Sequence, residues 1–151
     1  YIGWLNDPAV VRYSNQRFRR HDRASSLRYL ASFAGTDNLF LAIRRLADDR
    51  PIGTMTAYVA ALHGSANIGI LLGDTETWGQ GYGQDAWDTL LGWLLGDAAL
   101  RKVTAGTLAC NRGMVTVMER SGMHLEGVRR AQEIVDNRAE DILYYARFRG
   151  A

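Results

Sequence analysis

The sequence predicts one mixed α/β domain of the α+β class. Its sheet is largely antiparallel, flanked by helices, with one parallel strand pair that splays at its ends. Three observations lead there. After opening helices, hydrophobic period and turn residues give the element order β-β-β-α-β-α-β-β. A crossover helix separates the third strand from the fourth, so those two should lie parallel. The length, 151 residues, is that of a single domain spanning 1–151 and large enough for a real core.

Tyr1 to Arg12 reads as helical, interrupted at Asn6-Asp7-Pro8, where Asp7 can cap a new turn with Pro8 in its first position. Trp4, Leu5, Val10 and Val11 would supply its apolar contacts. Ser14 to Arg23 is polar and basic, with Arg17, Arg19, Arg20, His21 and Arg23. Such a run is either a solvated surface or a loop whose arginines clamp a phosphate or carboxylate. Asp22 then caps a helix, Arg23 to Ala34, with Leu27, Leu30, Ala31 and Ala34 expected on its buried face and Gly35 at its end. Asn38 to Leu46 and Pro51 to Leu62 read as a hairpin turning at Ala47-Asp-Asp-Arg50. His63-Gly64-Ser65 turns into a third strand, Asn67 to Leu72.

From Gly73 to Thr77 the chain is a short polar loop, followed by glycines at alternate positions, Gly79, Gly81 and Gly83. A helical pattern then begins, with Trp87, Leu90, Leu91, Leu94 and Leu95 on one face, and Gly96 ends it. Lys102 to Ala109 is the fourth strand, and Arg112 to Ser121 a short helix stopped by Gly122. His124 to Val135 and Asp141 to Arg149 are the last strands, joined through residues 136–140. They are candidates for pairing two copies as a homodimer, although sequence does not show an exposed edge.

The glycine turn carries the chemistry. A strand feeding a glycine-rich turn that opens a helix leaves several main-chain N–H groups unpaired and pointing one way, where the helix dipole adds positive charge. Such an end binds phosphate or pyrophosphate, and glycine lets the ligand come close. No Gly-Lys-Ser/Thr follows, so it is not a P-loop. Gly79-Gln-Gly81-Tyr-Gly83 also lacks the spacing of a dinucleotide fingerprint.

Composition narrows the classes further. The apolar fraction of 47% and charged fraction of 23% are those of an ordinary globular protein. A net charge of +2 is close to neutral and gives no argument for a nucleic-acid partner, and none is expected. No apolar run reaches membrane-helix length and no signal-peptide pattern opens the chain. The single cysteine, Cys110, excludes an internal disulfide and a cysteine metal cluster, which fits a reducing, cytoplasmic setting. Cys110 reads as a small core residue rather than a nucleophile. No metal site is in evidence. The chain opens at Tyr1 without a methionine, which points to a missing N-terminal piece with room for a first strand.

Trp78-Gly-Gln-Gly81-Tyr-Gly83 resembles the cofactor motif of the GNAT superfamily of acetyl-CoA-dependent N-acetyltransferases, Arg/Gln-x-x-Gly-x-Gly/Ala; the two glycines match and Trp78 departs. The Trp-Gly-x-Gly-Tyr form with Ala86 after it is similar to the branch holding ribosomal-protein N-terminal and nucleotide-amino-sugar acetyltransferases. Trp4-Leu-Asn-Asp-Pro-Ala-Val-Val-Arg-Tyr13 is similar to a segment near the acceptor site of that branch. Cys110-Asn111-Arg112 and Glu119-Arg-Ser-Gly122-Met123 resemble the family's second segment. Leu125-Glu126-Gly127 and Asp141-Ile-Leu-Tyr144 resemble its ending. The likeness covers nearly the whole chain.

The resemblance implies acetyl-CoA, with its pyrophosphate on the amides of Trp78, Gly79, Gln80, Gly81, Tyr82, Gly83 and Gln84. The pantetheine arm would run along Ile70, Leu71 and Leu72, with Asn111 either contacting it or capping the next helix. Trp4, Arg17 and His21 become candidates for binding a small-molecule or peptide amine. Transfer needs an amine that loses a proton, a donor at the thioester oxygen and a way out for the thiolate. At the family's usual base position stands Asn67, and at its usual acid position Met118; Met114 replaces a frequent serine. Asp74 and Glu76 are the nearest carboxylates to serve as base, with His21, His63, Glu126 and Glu133 further candidates. Tyr144 or Tyr145 would supply a proton unless the thiolate leaves unassisted. The leading expectation is an acetyl-CoA-dependent N-acetyltransferase acting by direct attack on a nucleotide-linked amino sugar or a protein N-terminal amine. The alternative is a non-catalytic acyl-CoA-binding or sensing domain.

Overall fold

A computed structural model describes residues 1–151. Six strands form one sheet in the order β1-β2-β3-β4-β6-β5: β1 Leu39–Arg44, β2 Pro51–Ala60, β3 Ser65–Leu72, β4 Lys102–Leu108, β5 His124–Val135 and β6 Arg138–Phe148. The helices are α1 Ile2–Leu5, α2 Arg23–Ala31, α3 Tyr82–Leu95 and α4 Arg112–Arg120. Every neighbouring pair is antiparallel except β3 and β4.

Alternation along the strands separates two faces. Met55, Ala57, Ile68, Val103, Ala105 and Tyr145 point into the core. There they meet Trp87, Leu90, Leu91, Leu94 and Leu95 of α3, and Val115 and Met118 of α4. Fully burying a side chain of this size contributes about 1.5–3 kcal/mol, so this layer holds the fold together. The other face of β2 and β3 presents Thr54, Thr56 and Tyr58 opposite Leu71, Gly69 and Asn67. The opening segment and α2 cover it. Tyr29 of α2 shares a 2.6 Å hydroxyl contact with Tyr58 and packs edge-on against Phe40.

The parallel pair is short. β3 and β4 pair only from Ser65, Ala66 and Asn67 to Lys102, Val103 and Thr104. Asn67 Nδ2 donates to Thr104 Oγ1 at 3.0 Å across the last rung. Beyond it β3 stays paired with β2 as far as Leu72, and β4 with β6 as far as Leu108, while β3 and β4 part from each other. The splay expected from the crossover is therefore present.

Three expectations are corrected. The opening is helical only at Ile2–Leu5, followed by a single turn at Asp7 in which its side chain accepts from Ala9 N at 2.9 Å. Pro8 disfavours a helical Asp7. The Asn6 side chain is bonded instead to the main-chain N–H and C=O of His21 at 2.9 and 2.8 Å. α2 ends at Ala31, and its expected buried stripe is exposed, with Leu27 at 51% and Leu30 at 49%. Tyr29 and Phe33 face the sheet instead, drawn by Phe40 and Tyr58. The final hairpin is tighter than expected. Asp136 and Asn137 both have positive φ, 49° and 62°, the geometry of a two-residue turn, so β6 begins at Arg138.

Candidate functional site

Where β3 gives way to α3, Gly79 and Gly81 adopt φ of 71° and 89°, a region that favours glycine, and Gly81 is the N-cap of α3. A Cβ at either position would meet nothing within 4 Å, so the space above them is open. Gly83 is helical. The main-chain N–H groups from Gly79 to Gln84 find no acceptor in the protein. Neighbouring side chains fasten the turn. Trp78 Nε1 donates to the Leu72 carbonyl at 2.8 Å, Gln80 Nε2 to the Glu76 carbonyl at 2.5 Å and Gln84 Nε2 to Ser121 Oγ at 2.9 Å. The main chain is left free to bind an anion.

The splay opens into a cleft of about 210 Å³. Ile68 to Leu71 of β3 form one wall, and Gly106 and Thr107 of β4 the other. Trp87, Tyr13, Asn111 and Met114 complete it. Asn111 caps α4, its Oδ1 accepting from Met114 N at 3.3 Å, so it serves as a cap while also lining the cleft. Trp87 is 1% exposed and its buried indole N–H has no partner. An orphaned donor in the cleft wall suits a polar ligand, because leaving such a group unpaired costs about 1–3 kcal/mol.

On the other face lies a cavity of about 420 Å³. Tyr1, Tyr29 and Phe40 give it an aromatic side, Thr54 and Thr56 a hydroxyl floor, and Arg19, Arg20 and His21 a basic rim. No carboxylate lines it. It shares Ser14, Gly69, Ile70 and Leu71 with the cleft, so the two meet at one stretch of β3. Burial raises the Tyr1 and Tyr29 hydroxyls above the ordinary tyrosine range, helped by Tyr58, so both stay protonated. His21 Nε2 lies 3.3 Å from the Gln16 carbonyl. A third cavity, about 350 Å³, adjoins through Arg19 and Arg20 and adds Arg17 and the ion pair of Arg12 with Asp136.

The expected cofactor residues Ile70, Leu71 and Asn111 line the cleft; Leu72 and residues 78–84 line none of the three cavities, and Gly83 packs beside Leu72. Among the expected substrate residues, His21 lines the large cavity, and Arg17 lines the third cavity while donating to the Ser14 and Ile134 carbonyls. Trp4 lines none of the three. Its ring lies so close over Gly73 that a Cβ there would be 2.0 Å from it. Asp74, Glu76 and Tyr144 also line none of these cavities. Asp74 is 8% exposed, accepts from Glu76 N at 3.2 Å and lies 3.0 Å from an Arg50 nitrogen. Glu76 is exposed, 3.9 Å from Arg50. The Tyr144 ring covers Gly106 and lies under the Arg129 guanidinium. Tyr145 is buried, donating to Glu119 at 3.0 Å.

Tyr13, Tyr29, Phe40, Thr54, Thr56 and Trp87 escaped the reading of the sequence as site residues. The threonines left a signal: Thr54 and Thr56 alternate with the core residues Met55 and Ala57, marking a polar sheet face. Cys110 is a half-buried free thiol whose pKa is raised by burial and by Glu140, which disfavours the thiolate. No group of three or more His, Cys, Asp or Glu side chains can hold a metal ion, and no helix is long and apolar enough to cross a membrane.

Unpaired main-chain N–H groups at a helix start, beside a cleft between parted parallel strands, make a site chemically suited to a phosphate-bearing ligand. The family model of the acetyltransferase (GNAT) domain matches residues 1–124, and the chain belongs to that family of acetyl-CoA-dependent N-acetyltransferases. No curated protein matches it by sequence. Among solved structures it is similar to a GNAT-family acetyltransferase from Bacillus anthracis, with 18% identity, TM-score 0.82, and coverage of 99% of this chain and 87% of that one. It is also similar to spermidine N-acetyltransferase from Vibrio cholerae in complex with CoA and spermine, with 16% identity, TM-score 0.83, and coverage of 98% and 87%.

Proposed function

We propose that this chain moves the acetyl group of acetyl-CoA by direct attack onto the primary amine of a small-molecule or peptide acceptor seated in the 420 Å³ cavity. The observation that carries the reading is the shared wall: Ser14, Gly69, Ile70 and Leu71 border both the cleft and the cavity. A carrier lying in one therefore meets an amine lying in the other. The amides of Gly79 to Gln84 would hold the pyrophosphate, and the free edge of β3 would pair with the pantetheine arm as an added strand does. The thioester supplies an activated carbonyl. Main-chain N–H groups of β3 near Leu71 and Leu72 would stabilise charge on its oxygen.

His21 is the imidazole of the large cavity and would take the amine proton. With Nε2–H donating to the Gln16 carbonyl, Nδ1 keeps its lone pair for this task. Asp74 and Glu76 would act only through intervening water. Tyr13, which lines the cleft, joins Tyr144 as a proton source for the leaving thiolate. The acceptors to try first are a nucleotide-linked amino sugar and a protein N-terminal amine.

Thiol release from acetyl-CoA in the presence of an amine panel tests the transfer. His21→Ala should lower kcat about 100-fold, the lower end of a general base's contribution. Asp74→Asn should lower it far less. Binding of acetyl-CoA with no transfer to any amine would mark a non-catalytic sensor.

A further inference from the structure

We infer that the acceptor carries an anionic group, phosphate or carboxylate, on the same molecule as its amine, and that Arg19 and Arg20 receive it. The inference rests on the transferase reading above and names the class of substrate it takes. Both arginines line the 420 Å³ cavity, and both also line the adjoining 350 Å³ cavity, so they stand where the two meet. Neither takes part in an ion pair, unlike Arg12, Arg44, Arg45, Arg50 and Arg130, each of which faces a carboxylate. The acceptor cavity contains cationic side chains and no carboxylate. A polyamine placed there would bring positive charge against positive charge with nothing to offset it. An amine with an anionic tail would meet two planar guanidinium forks suited to bidentate contact.

A second observation points the same way. Ser26 lines the same cavity, and its buried hydroxyl has no partner in the protein. An anion's oxygens would accept from it. The amine end is drawn toward Gly69–Leu71, where the cavity meets the cleft, so the cavity is polarised along its length. Its basic end continues into the 350 Å³ space, which leaves room for a group attached beyond the anion.

Matched amines test this in the full chain with acetyl-CoA: 2-aminoethanol against O-phosphoethanolamine for phosphate, 1-aminohexane against 6-aminohexanoate for carboxylate, and spermidine as the polycation. The anionic member of at least one pair should show a kcat/KM higher by about tenfold or more, the scale of one charge-assisted contact. Which pair responds tells phosphate from carboxylate. The double variant R19A/R20A should erase that preference, with acetyl-CoA binding and circular dichroism showing that it is folded. Higher kcat/KM for spermidine or for the neutral amines would overturn the inference, as would a preference that survives in R19A/R20A. If acetyl-CoA binds and no probe is acetylated, the transferase reading has failed separately. Calorimetric titration of the same probes into CoA-loaded protein then decides the anion: binding lost in R19A/R20A sustains it, and no binding of either anionic probe overturns it.

Discussion

Gly81 shows how much a single residue decides. At φ of 89° it turns the chain from the loop into α3, and a β-branched side chain there is strained whatever space surrounds it. Gly81→Val should cost about 1–3 kcal/mol in urea unfolding and weaken acetyl-CoA binding at least about tenfold in a titration. Gly83→Ala should leave unfolding unharmed, because Gly83 is helical and its Cβ would sit 3.8 Å from Leu72 in ordinary contact. The sequence presents these glycines as equals, and it cannot do otherwise, since φ belongs to the folded turn. The turn geometry, with its unpaired N–H groups, was legible from glycines at alternate positions before an amphipathic helix. The lining of the two cavities was not. Asp74 and Glu76 follow directly on β3, yet chain proximity did not place them on either cavity, whereas His21 reaches one from a distant segment.

Between elements, one hydroxyl reinforces the join of α3 to α4 made by core packing and by Gln84 donating to the Val117 carbonyl at 3.2 Å. Ser121 is 6% exposed; its Oγ accepts from Gln84 at 2.9 Å and donates to Asp88 Oδ1 at 2.6 Å. Ser121→Ala leaves both partners short of a bond and should destabilise the fold by about 1–3 kcal/mol in urea. A shift in midpoint without a change in slope would mark the loss as one of stability alone. The long, strongly periodic elements were readable at this scale: α3 runs from Tyr82 to Leu95 with the expected apolar face inward. α2 was not, because residues 23–33 carry two apolar stripes. Leu27 and Leu30 look as buriable as Tyr29 and Phe33, and the choice was made by Phe40 and Tyr58, which lie far along the chain. The opening helix failed for the same reason, since its stop depends on Asn6 reaching His21.

For the whole molecule, three tyrosines tie stability to alkaline pH, Tyr145 buried and Tyr1 and Tyr29 partly exposed. Tyr1, Tyr29 and Tyr145 have pKa values raised above 10.0, each with burial as the leading cause. A raised folded-state pKa contributes stability that is complete below 10.0 and is lost as pH climbs through the folded value, because the unfolded chain releases its protons first. Thermal midpoints should therefore fall steeply above pH 10, and Tyr145→Phe should flatten that decline. The short seam between β3 and β4 has a wider consequence. The sheet is built like an open book, with β1, β2 and β3 as one leaf and β4, β6 and β5 as the other. α3 touches both leaves and acts as the spine. The gape of the book is then governed by how Leu91 and Leu94 seat between the leaves, so repacking the back of α3 would retune transfer from a position no substrate ever visits.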